Sequence, residues 1–315
     1  MINLLYCFDE NYNVQAFISM KSFIESNETQ ININVIHENP SSFKKYENNL
    51  NGLKNTNLNI KKFENNNNIP LIVNDAHYSE ATYYRIFLED YLDLDIQNIL
   101  YLDPDTVCIN NIEAEYEDIF KKLHNDNFVL GAKTDGEKKD APELFEKLNM
   151  KNRYFNAGVM FINLKEWRKL NITKKLQNKI FELGDNISLA DQDAMNSYFD
   201  GEYLELDKEF NFYAEFKANK EILNFINKDV YFLHYVGSTK PWTAYGGIDR
   251  ISNYYHKHHL QAFGNYHISS KYRKDDIFVL MKKIINLNIL HIDKPLLYIF
   301  DFLRTILTTN KINIK

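Results

Sequence analysis

Two carboxylates stand directly after an apolar run, in the sequence Asn98-Ile99-Leu100-Tyr101-Leu102-Asp103-Pro104-Asp105. Along an extended chain, residues two apart face the same side, so Asp103 and Asp105 can point at one ion while Pro104 turns away. Carboxylate oxygens suit Mg²⁺ or Mn²⁺, and such an ion would hold a diphosphate and neutralise it as a leaving group. The motif therefore predicts a divalent-cation site, although an ordinary turn after a strand uses the same residues.

The same motif has a second interpretation. Asp-x-Asp-Thr-Val after an apolar strand also resembles the start of haloacid-dehalogenase-type phosphotransferases, in which the first Asp is a nucleophile. That motif normally opens its domain, whereas about 100 residues precede it here. Asp275-Asp276 could supply the further acidic pair, but no convincing strand leads into it. The phosphotransferase interpretation therefore ranks below the metal site.

Five further segments carry polar residues. They are Cys7-Phe8-Asp9-Glu10-Asn11-Tyr12, His77-Tyr78-Ser79-Glu80-Ala81-Thr82-Tyr83-Tyr84-Arg85, Tyr154-Phe155-Asn156-Ala157-Gly158-Val159 with Asp191-Gln192-Asp193, and His234-Tyr235-Val236-Gly237-Ser238-Thr239-Lys240-Pro241-Trp242. Together with the Asp-Pro-Asp motif they resemble glycosyltransferase family 8. That family includes bacterial lipopolysaccharide galactosyl- and glucosyltransferases and is related to glycogenin. The resemblance covers about residues 1–262.

The resemblance implies an α/β nucleotide-binding fold of the glycosyltransferase-A type, with a mainly parallel central sheet. It also implies a UDP-glucose or UDP-galactose donor, Mn²⁺ (or Mg²⁺), and retention of configuration at the anomeric carbon. The metal ligands would be Asp103, Asp105 and His234. The donor would be held by Asp9, Asn11, Tyr12, Arg85, Asp103, Asn156, Gly237 and Lys240. Asp191 and Gln192 would lie beside the donor sugar, where the reaction occurs.

Each of these assignments has an ordinary alternative. His234 follows an apolar run and so lies at a strand end, where a neutral imidazole can be a third metal ligand, but a lone histidine is more often structural. Lys240 suits phosphate as a mobile cation, and it could equally be a solvated lysine. Asn156-Ala157-Gly158 has the small residues that close approach to a ligand needs, as does a plain turn.

The chemistry of retention depends on what lies beneath the anomeric carbon. Two successive inversions need a nucleophile there, and the matching residue, Gln192, carries a poorly nucleophilic amide. A front-face attack is therefore favoured, with Asp191 orienting a sugar hydroxyl. A protein that binds the sugar nucleotide without transferring the sugar is the alternative from another class. The acceptor stays open among glycans, lipid-linked sugars and proteins.

The elements that must position these residues alternate along the first 130 residues. Strands are predicted at 2–7, 31–37, 58–63, 97–103 and 128–132, and helices at 13–26, 40–51 and 78–91. Further strands are predicted at 158–164, 203–206 and 230–234. This alternation predicts a parallel sheet with crossover helices, whose ligands bind at the carboxyl ends of the strands.

The amino-acid composition argues against some classes of function. The chain of 315 residues carries a net charge of −6, which argues against non-specific nucleic-acid binding. It has only two cysteines without metal-type spacing, no recognisable signal peptide and no apolar run long enough to span a bilayer. We therefore expect a cytoplasmic protein.

The last fifty residues differ from the rest. Residues 264–315 carry a net charge of +5, whereas the remainder carries −11. We predict a catalytic domain over 1–262 and a basic, amphipathic helical extension over 263–315. Its helices are expected over 275–290 and from about Pro295, with Asp301, Arg304 and Thr305 as polar positions. Such helices suit an anionic membrane surface, which would place the enzyme peripherally on the inner face of the membrane, or they pack on the protein or in a dimer interface.

Overall fold

The computed structural model describes residues 1–50, 53, 55–65, 69–71, 79–270 and 273–308. His77 and Tyr78 of the motif that ends at Arg85, and the last residue of the helix predicted at 40–51, lie outside these residues. The strands are β1 (Ile2–Phe8), β2 (Ile31–His37), β3 (Thr56–Lys62), β4 (Asn98–Leu102), β5 (Thr106–Cys108), β6 (Leu130–Glu137), β7 (Arg153–Asn163), β8 (Leu204–Glu205), β9 (Phe212–Tyr213) and β10 (Phe232–His234).

The helices are α1 (Asn13–Ser26), α2 (Pro40–Leu50), α3 (Leu88–Tyr91), α4 (Glu113–Asn125), α5 (Pro142–Lys147), α6 (Leu164–Lys169), α7 (Ile172–Leu183), α8 (Ala190–Phe199), α9 (Lys220–Asp229), α10 (Asn253–Phe263), α11 (Arg273–Ile285) and α12 (Pro295–Thr308). Short 3-10 segments connect several of them, at Glu10–Tyr12, Glu80–Phe87, Gly184–Asn186, Lys208–Asn211, Arg250–Ser252 and Asn288–His291. No helix in the described ranges is both long and apolar enough to cross a bilayer.

The chain forms two compact units. The first comprises Met1–Thr106 and Asn111–Asn211, and the second comprises Val107–Asn110 and Phe212–Lys315. The division of the chain into a catalytic domain over 1–262 and an extension stays a prediction about function.

A seven-stranded sheet organises the first unit, in the order β3-β2-β1-β4-β7-β6-β8. β1 runs parallel to β2 and β4, and β7 runs antiparallel to both β4 and β6. The mainly parallel sheet predicted from the sequence is confirmed. Every residue of β1 is buried, as expected for a central strand of a sheet whose two faces are both covered.

Local sequence explains how α1 begins. The Asp9 carboxylate accepts a hydrogen bond from the backbone of Asn11 at 2.9 Å, which caps a short 3-10 turn that leads directly into α1. Ser19 on α1 then bonds to Tyr6 of β1 at 3.1 Å and to Thr106 at 3.0 Å. These contacts fix α1 against the strand whose carboxyl end bears Asp9.

Some predicted boundaries are wrong. The segment 80–87 forms a 3-10 helix followed by the short α3, in place of the single helix predicted over 78–91. The segment begins after Ser79, whose hydroxyl accepts a hydrogen bond from the backbone of Ala81 at 3.2 Å, and most of its residues are buried. β6 and β7 are longer than predicted, because an irregular antiparallel pairing continues them to Glu137 and back from Arg153.

The second unit combines a three-stranded sheet, in the order β5-β10-β9, with the C-terminal helices. The buried residues Ala244 and Ile248 share a hydrophobic cluster with residues of α11 and α12. The C-terminal helices are therefore packed on residues 244–268 within this unit. The buried members of this hydrophobic cluster are Ala244, Ile248, Tyr266, Ile268, Leu280, Ile289, Ile292, Tyr298, Phe302 and Ile306.

The C-terminal helices depart from the prediction in two places. α11 ends at Ile285, earlier than the predicted 290, and Leu287 adopts a left-handed backbone with φ 58°. α12 begins at Pro295 as predicted. Asp301, predicted to be a polar surface position, is buried, and its carboxylate accepts a hydrogen bond from the Tyr266 backbone at 2.8 Å.

Candidate active site

The carboxyl ends of two neighbouring parallel strands carry Asp9 and Asp103. Asp9 directly follows β1 and Asp103 directly follows β4, and the two strands pair in parallel register from Leu4 with Leu100. Ligands bind at this edge in α/β sheets. The predicted positions of these carboxylates at strand ends are thus confirmed.

β7 brings the Asn156-Ala157-Gly158 segment to the same place. The backbone of Asp103 donates a hydrogen bond to the Gly158 carbonyl at 2.8 Å, which continues the antiparallel ladder past Leu102. The Asn156 side-chain oxygen accepts from the backbone of Gly158 at 3.0 Å and from the Asn211 amide at 2.9 Å. In this conformation the Asn156 side chain bonds to the backbone of its own strand and to Asn211, and its contact with a donor sugar stays a prediction.

Arg85 is buried and contacts several of the predicted site residues. Its guanidinium donates through Nε and Nη2 to the two oxygens of Asp191, at 2.5 and 2.9 Å, and through Nη1 to Asp103 Oδ1 at 2.9 Å. Nη1 also donates to the Ala157 carbonyl at 2.9 Å. Arg85 therefore joins the 3-10 segment, β4, β7 and α8, and it connects the Asp103 carboxylate to the Asp191 carboxylate.

The electrostatics of this group follow from its burial. The Asp191 side chain is 0% exposed and that of Arg85 is 5% exposed, whereas that of Asp103 is 26% exposed. Although burial lowers the pKa of Arg85, the carboxylates of Asp191 and Asp103 raise it well above its usual value. Burial raises the pKa of the Asp191 carboxyl, and the Arg85 charge opposes that rise. The buried ion pair of Arg85 with Asp191 therefore contacts Asp103, which is the more accessible of the two carboxylates.

Tyr101 contacts Asp103, and none of the motifs described above predicts this contact. Its hydroxyl donates to Asp103 Oδ1 at 2.6 Å, and the Arg85 guanidinium lies 4.8 Å from the centre of its ring. Oδ1 of Asp103 thus accepts from both Tyr101 and Arg85. The two-residue period of the strand is a signal that could have found Tyr101, since residues 101 and 103 lie two apart at the end of β4.

Gln192 and its neighbours form a second polar group on α8. Gln192 Oε1 accepts from the backbone of Ala157 at 2.9 Å, and its Nε2 donates to the Tyr154 hydroxyl at 3.1 Å. The Tyr154 hydroxyl donates in turn to Asp193 Oδ1 at 2.7 Å, and the other oxygen of Asp193 accepts from the backbone of Ser188 and Leu189. Asp193 therefore ties α8 to the residues that precede it, while Gln192 is held against β7 and Asp191 against Arg85.

The predicted metal ligands are brought together. Asp105 directly precedes β5, and β5 lies beside β10, whose last residue is His234. Asp103, Asp105 and His234 each offer one ligand atom, and these atoms all lie within 4.8 Å of one another. Two carboxylate oxygens and an imidazole nitrogen are a donor set that suits Mn²⁺ and is compatible with Mg²⁺.

The remaining predicted residues lie in two segments. Asn11 is exposed and Tyr12 is half-buried on the turn that Asp9 caps. Gly237 is exposed with φ 74°, a backbone conformation that favours glycine, in the loop after β10. Lys240 is half-buried, and its Nζ donates to the Tyr235 carbonyl within that loop. Their contacts with a uridine or a diphosphate stay predictions.

The mainly parallel sheet, with Asp9 and Asp103 at its carboxyl edge and the Asp-x-Asp motif after β4, agrees with an α/β fold of the glycosyltransferase-A type. The model of the family described as "Glycosyl transferase family 8" matches residues 3–246. The chain belongs to this family, as the resemblance predicts, and the match leaves the phosphotransferase interpretation without support.

Two curated relatives are lipopolysaccharide-modifying enzymes. The chain is 29% identical over 271 residues to a lipopolysaccharide 1,2-glucosyltransferase of Escherichia coli, covering 80% of this chain and 77% of that protein. It is 29% identical over 196 residues to a lipopolysaccharide 1,3-galactosyltransferase of Salmonella typhimurium, covering 60% of this chain and 56% of that protein. The chain is thus similar both to a glucosyl- and to a galactosyltransferase.

Solved structures have the same fold. The galactosyltransferase LgtC, in complex with donor and acceptor sugar analogues, matches with a TM-score of 0.62 and 25% identity, covering 76% of this chain and 89% of that one. The glycosyltransferase GlyE of Streptococcus pneumoniae matches with a TM-score of 0.57 and 20% identity, covering 82% of this chain and 61% of that one. The predicted fold class is confirmed by both.

Proposed function

We propose that this member of the family is a metal-dependent, retaining hexosyltransferase that takes glucose or galactose from a UDP-sugar. The observation that carries the proposal is the convergence of Asp103, Asp105 and His234. The complete ligand set argues against a protein that only binds the sugar nucleotide, because a site that has lost its activity usually loses its metal ligands first. The relatives named above transfer glucose or galactose, which supports these two sugars as candidates.

The cation is proposed to be Mn²⁺, with Mg²⁺ as the second candidate. Asp103, Asp105 and His234 would hold it, and when bound it would neutralise negative charge that develops on the departing diphosphate. Tyr101 and Arg85 fix the Asp103 carboxylate through Oδ1, so its orientation is set before the ion binds. Gly237 and Lys240 would hold the diphosphate, through close backbone approach and a positive charge respectively.

The rest of the donor is assigned to residues at the sheet edge. Asp9, Asn11 and Tyr12 would bind the uridine, since the capped turn presents an exposed amide and a half-buried aromatic ring after β1. Arg85, Asn156, Asp191 and Gln192 would surround the sugar. Because both oxygens of Asp191 already accept from Arg85, its role in this conformation is to orient Arg85, and a direct contact with the sugar requires a rearrangement.

Retention is proposed to proceed by front-face attack. The bond from the anomeric carbon to the phosphate oxygen breaks, the acceptor oxygen forms its bond on the same face, and the acceptor proton passes to the leaving phosphate oxygen. Gln192 would lie near the opposite face, and its amide is a poor nucleophile for a covalent intermediate. Its hydrogen bonds to Ala157 and Tyr154 further fix it in place.

The decisive experiment incubates the purified protein with radiolabelled UDP-glucose or UDP-galactose, with Mn²⁺, Mg²⁺ or a chelator. We expect slow release of free sugar without acceptor and faster transfer when a panel of glycans, lipid-linked sugars and proteins is added. Binding of UDP-sugar without any release or transfer would favour a non-catalytic binding protein. Full activity in the presence of chelator would contradict the metal dependence.

Substitution of one metal ligand tests the ligand set directly. Asp103→Asn or Asp105→Asn should lower transfer about 100-fold, since loss of one such charge removes about 3 kcal/mol of transition-state stabilisation. Circular dichroism should show an unchanged fold, because both side chains are partly exposed. Asp118→Asn, on the exposed face of α4, is the matched control and should retain full activity. Wild-type activity in both active-site variants would contradict the proposed ligands.

The C-terminal helices are proposed to place the enzyme on an anionic membrane surface at the cytoplasmic face. Several large apolar side chains of α11 and α12 and the segment joining them are exposed, namely Phe278, Met281, Ile285, Leu287, Leu290, Leu296, Phe300, Leu303 and Leu307. Lys282 and Lys283 lie in the last turn of α11. Exposed apolar side chains beside basic ones are typical of interfacial helices.

A flotation assay tests this placement. The full-length protein should float with vesicles that contain anionic phosphatidylglycerol and remain in the lower fraction with neutral phosphatidylcholine vesicles. Replacing Phe300, Leu303 and Leu307 by serine should abolish flotation, whereas serine at the exposed Phe181 of α7 should not. A protein that never floats would contradict the membrane proposal and leave these side chains as a protein interface.

A further inference from the structure

The loop after β10, which bears Lys240, closes on itself in a tight double turn. The Lys240 carbonyl accepts from the backbone and from the hydroxyl of Thr243, at 3.0 and 2.8 Å. The Thr243 hydroxyl accepts from the backbone of Gly246 at 3.1 Å, and the Thr243 carbonyl accepts from that of Gly247 at 2.8 Å. The position of Lys240 is therefore tied to the two glycines that end the loop.

Gly246 and Gly247 lie so close to neighbouring atoms that neither position has room for a side chain. A Cβ on Gly246 would collide with the Lys240 carbonyl oxygen. A Cβ on Gly247 would collide with the Tyr298 hydroxyl and would lie 2.9 Å from the Thr243 carbonyl oxygen. Neither glycine has a positive φ, so the requirement is the absence of a side chain and does not come from the backbone conformation.

The other contacts of the glycines come from the start of α10. The Ser252 hydroxyl donates to the Gly246 carbonyl at 2.7 Å, and His256 Nε2 lies 2.9 Å from the Gly247 carbonyl. A carbonyl oxygen only accepts, so His256 is the donor in this contact. The end of the loop is thus in contact with Ser252, with His256 of α10 and with Tyr298.

Tyr298 belongs to α12, beyond the residues that the family model matches. Its side chain is fully buried, with its ring 5.1 Å from that of Tyr266 and 6.2 Å from that of His256. Its hydroxyl has no hydrogen-bond partner among the described residues, so its position follows from packing. The same helix exposes Leu296, Phe300 and Leu303 to solvent.

We propose that Tyr298 is a positioning residue for the diphosphate-binding loop: by packing on Gly247, the C-terminal helix fixes where Lys240 lies. This inference rests on the proposed function, in which Lys240 holds the diphosphate of the donor. It makes α12 a part of the donor site, although α12 lies outside the matched family residues. A shift of α12 would be transmitted through Gly247 and Thr243 to Lys240.

The test measures the affinity for UDP at saturating Mn²⁺ by calorimetry. Tyr298→Leu should weaken UDP binding about 10-fold, which corresponds to about 1.4 kcal/mol, because the loop loses its support. Tyr298→Phe keeps the ring and should bind nearly as the wild type does. Phe300→Leu, on the exposed side of the same helix, is the matched control and should bind UDP unchanged.

Two further variants distinguish the loss of the contact between Tyr298 and Gly247 from a general loss of protein stability. Gly247→Ala should also weaken UDP binding, and adding Tyr298→Phe should restore part of the loss by removing the hydroxyl with which the new methyl group collides. In steady-state kinetics the loss should raise KM for the UDP-sugar more than it lowers kcat. A melting curve for each variant reports whether the fold is intact.

Failure of the inference and failure of the proposed function give different experimental results. A folded Tyr298→Leu variant that binds UDP as tightly as the wild type would overturn the inference. If Tyr298→Leu does not fold, the inference is overturned when the double variant binds UDP no better than Gly247→Ala alone. Failure of the wild-type protein to bind UDP would overturn the proposed function itself.

Discussion

Arg85 carries a buried positive charge that two carboxylates share, Asp191 and Asp103. A buried charge is tolerated when its partners satisfy its hydrogen bonds, and here four of them go to the two carboxylates and the Ala157 carbonyl. The arrangement therefore serves the fold and the site together, because the same side chain that joins α8 to β4 orients a predicted metal ligand.

Removal of this charge should destabilise the protein. Arg85→Met leaves Asp191 buried without its partner, so we expect the free energy of unfolding to fall by about 3 kcal/mol or more in urea titrations. Lys121→Met is the control, since it breaks an ion pair with Asp118 whose two side chains are 68% and 67% exposed, and it should leave stability unchanged. Equal stability of the Arg85 variant and the wild type would show that the ion pair contributes nothing to the fold.

Some of the site could be predicted from the sequence because its signals are local. Asp103 and Asp105 follow an apolar run, and this alone predicts their place at the end of a strand. The extended backbone predicted for them is wrong, because Pro104 and Asp105 form a turn in which the backbone of Thr106 donates to the Asp103 carbonyl at 3.2 Å. The ion pair of Arg85 with Asp191 joins residues 106 positions apart, and it depends on how the 3-10 segment packs on α8. No local pattern predicts such a pairing, and only the family resemblance brought the two residues together.

At the scale of the secondary-structure elements, hydrophobic periodicity predicted the helices and strands that have one buried face or are buried on all sides. β2 and α1 have the predicted bounds, because each is framed by polar residues that begin or end it. The boundaries of β6 and β7 were missed, since their pairing includes register shifts between Ala132 and Gly136 that break the alternation. Asp301 was assigned to the surface because it is charged, whereas the backbone of Tyr266 provides it with a buried partner.

The loop over 236–247 gives a prediction at the scale of one element. Its first half contains exposed Gly237 with a positive φ, and its second half is anchored at Gly246 and Gly247. We expect the loop to fold over the diphosphate when the donor binds and to exclude water from the reacting bond. Trp242 lies next to Pro241 and Lys240, is 6% exposed and packs 5.2 Å from the ring of Tyr255. A movement of Lys240 towards the diphosphate should therefore alter the contacts of Trp242.

Fluorescence measures this closure. The chain has two tryptophans, so Trp167→Phe leaves Trp242 as the only reporter. Titration with UDP-glucose or UDP-galactose in the presence of Mn²⁺ should shift its emission, and the shift should be absent when Lys240→Ala is added. A flat titration at a donor concentration that saturates the enzyme would argue against closure.

At the scale of the whole molecule, the C-terminal residues share a hydrophobic cluster with the segment that follows Lys240. The cluster joins Ala244 and Ile248 to Tyr298, Phe302 and Ile306. A chain cut after Phe263 would expose these apolar side chains to water, so we expect it to be less stable than the full-length protein. The membrane proposal is therefore tested better by surface substitutions than by truncation.

Buried histidines in both units make the stability of the whole protein depend on pH. Burial lowers the pKa of His37 and of His256 to about 4, and that of His267 to about 3. In the unfolded chain these side chains would titrate near about 6.5. Between these values the unfolded state binds more protons than the folded state, so protonation favours unfolding.

We therefore expect full stability above about pH 6.5 and a progressive loss as the pH falls towards about 4. A shift of the size that His256 shows corresponds to about 3 kcal/mol when the transition is complete. Urea titrations at a series of pH values measure this dependence. His267→Gln should make it shallower, because one buried group no longer takes up a proton on unfolding. A free energy of unfolding that stays constant from pH 7 to about pH 4.5 would contradict the expectation, since each neutral buried histidine should make acid unfolding easier.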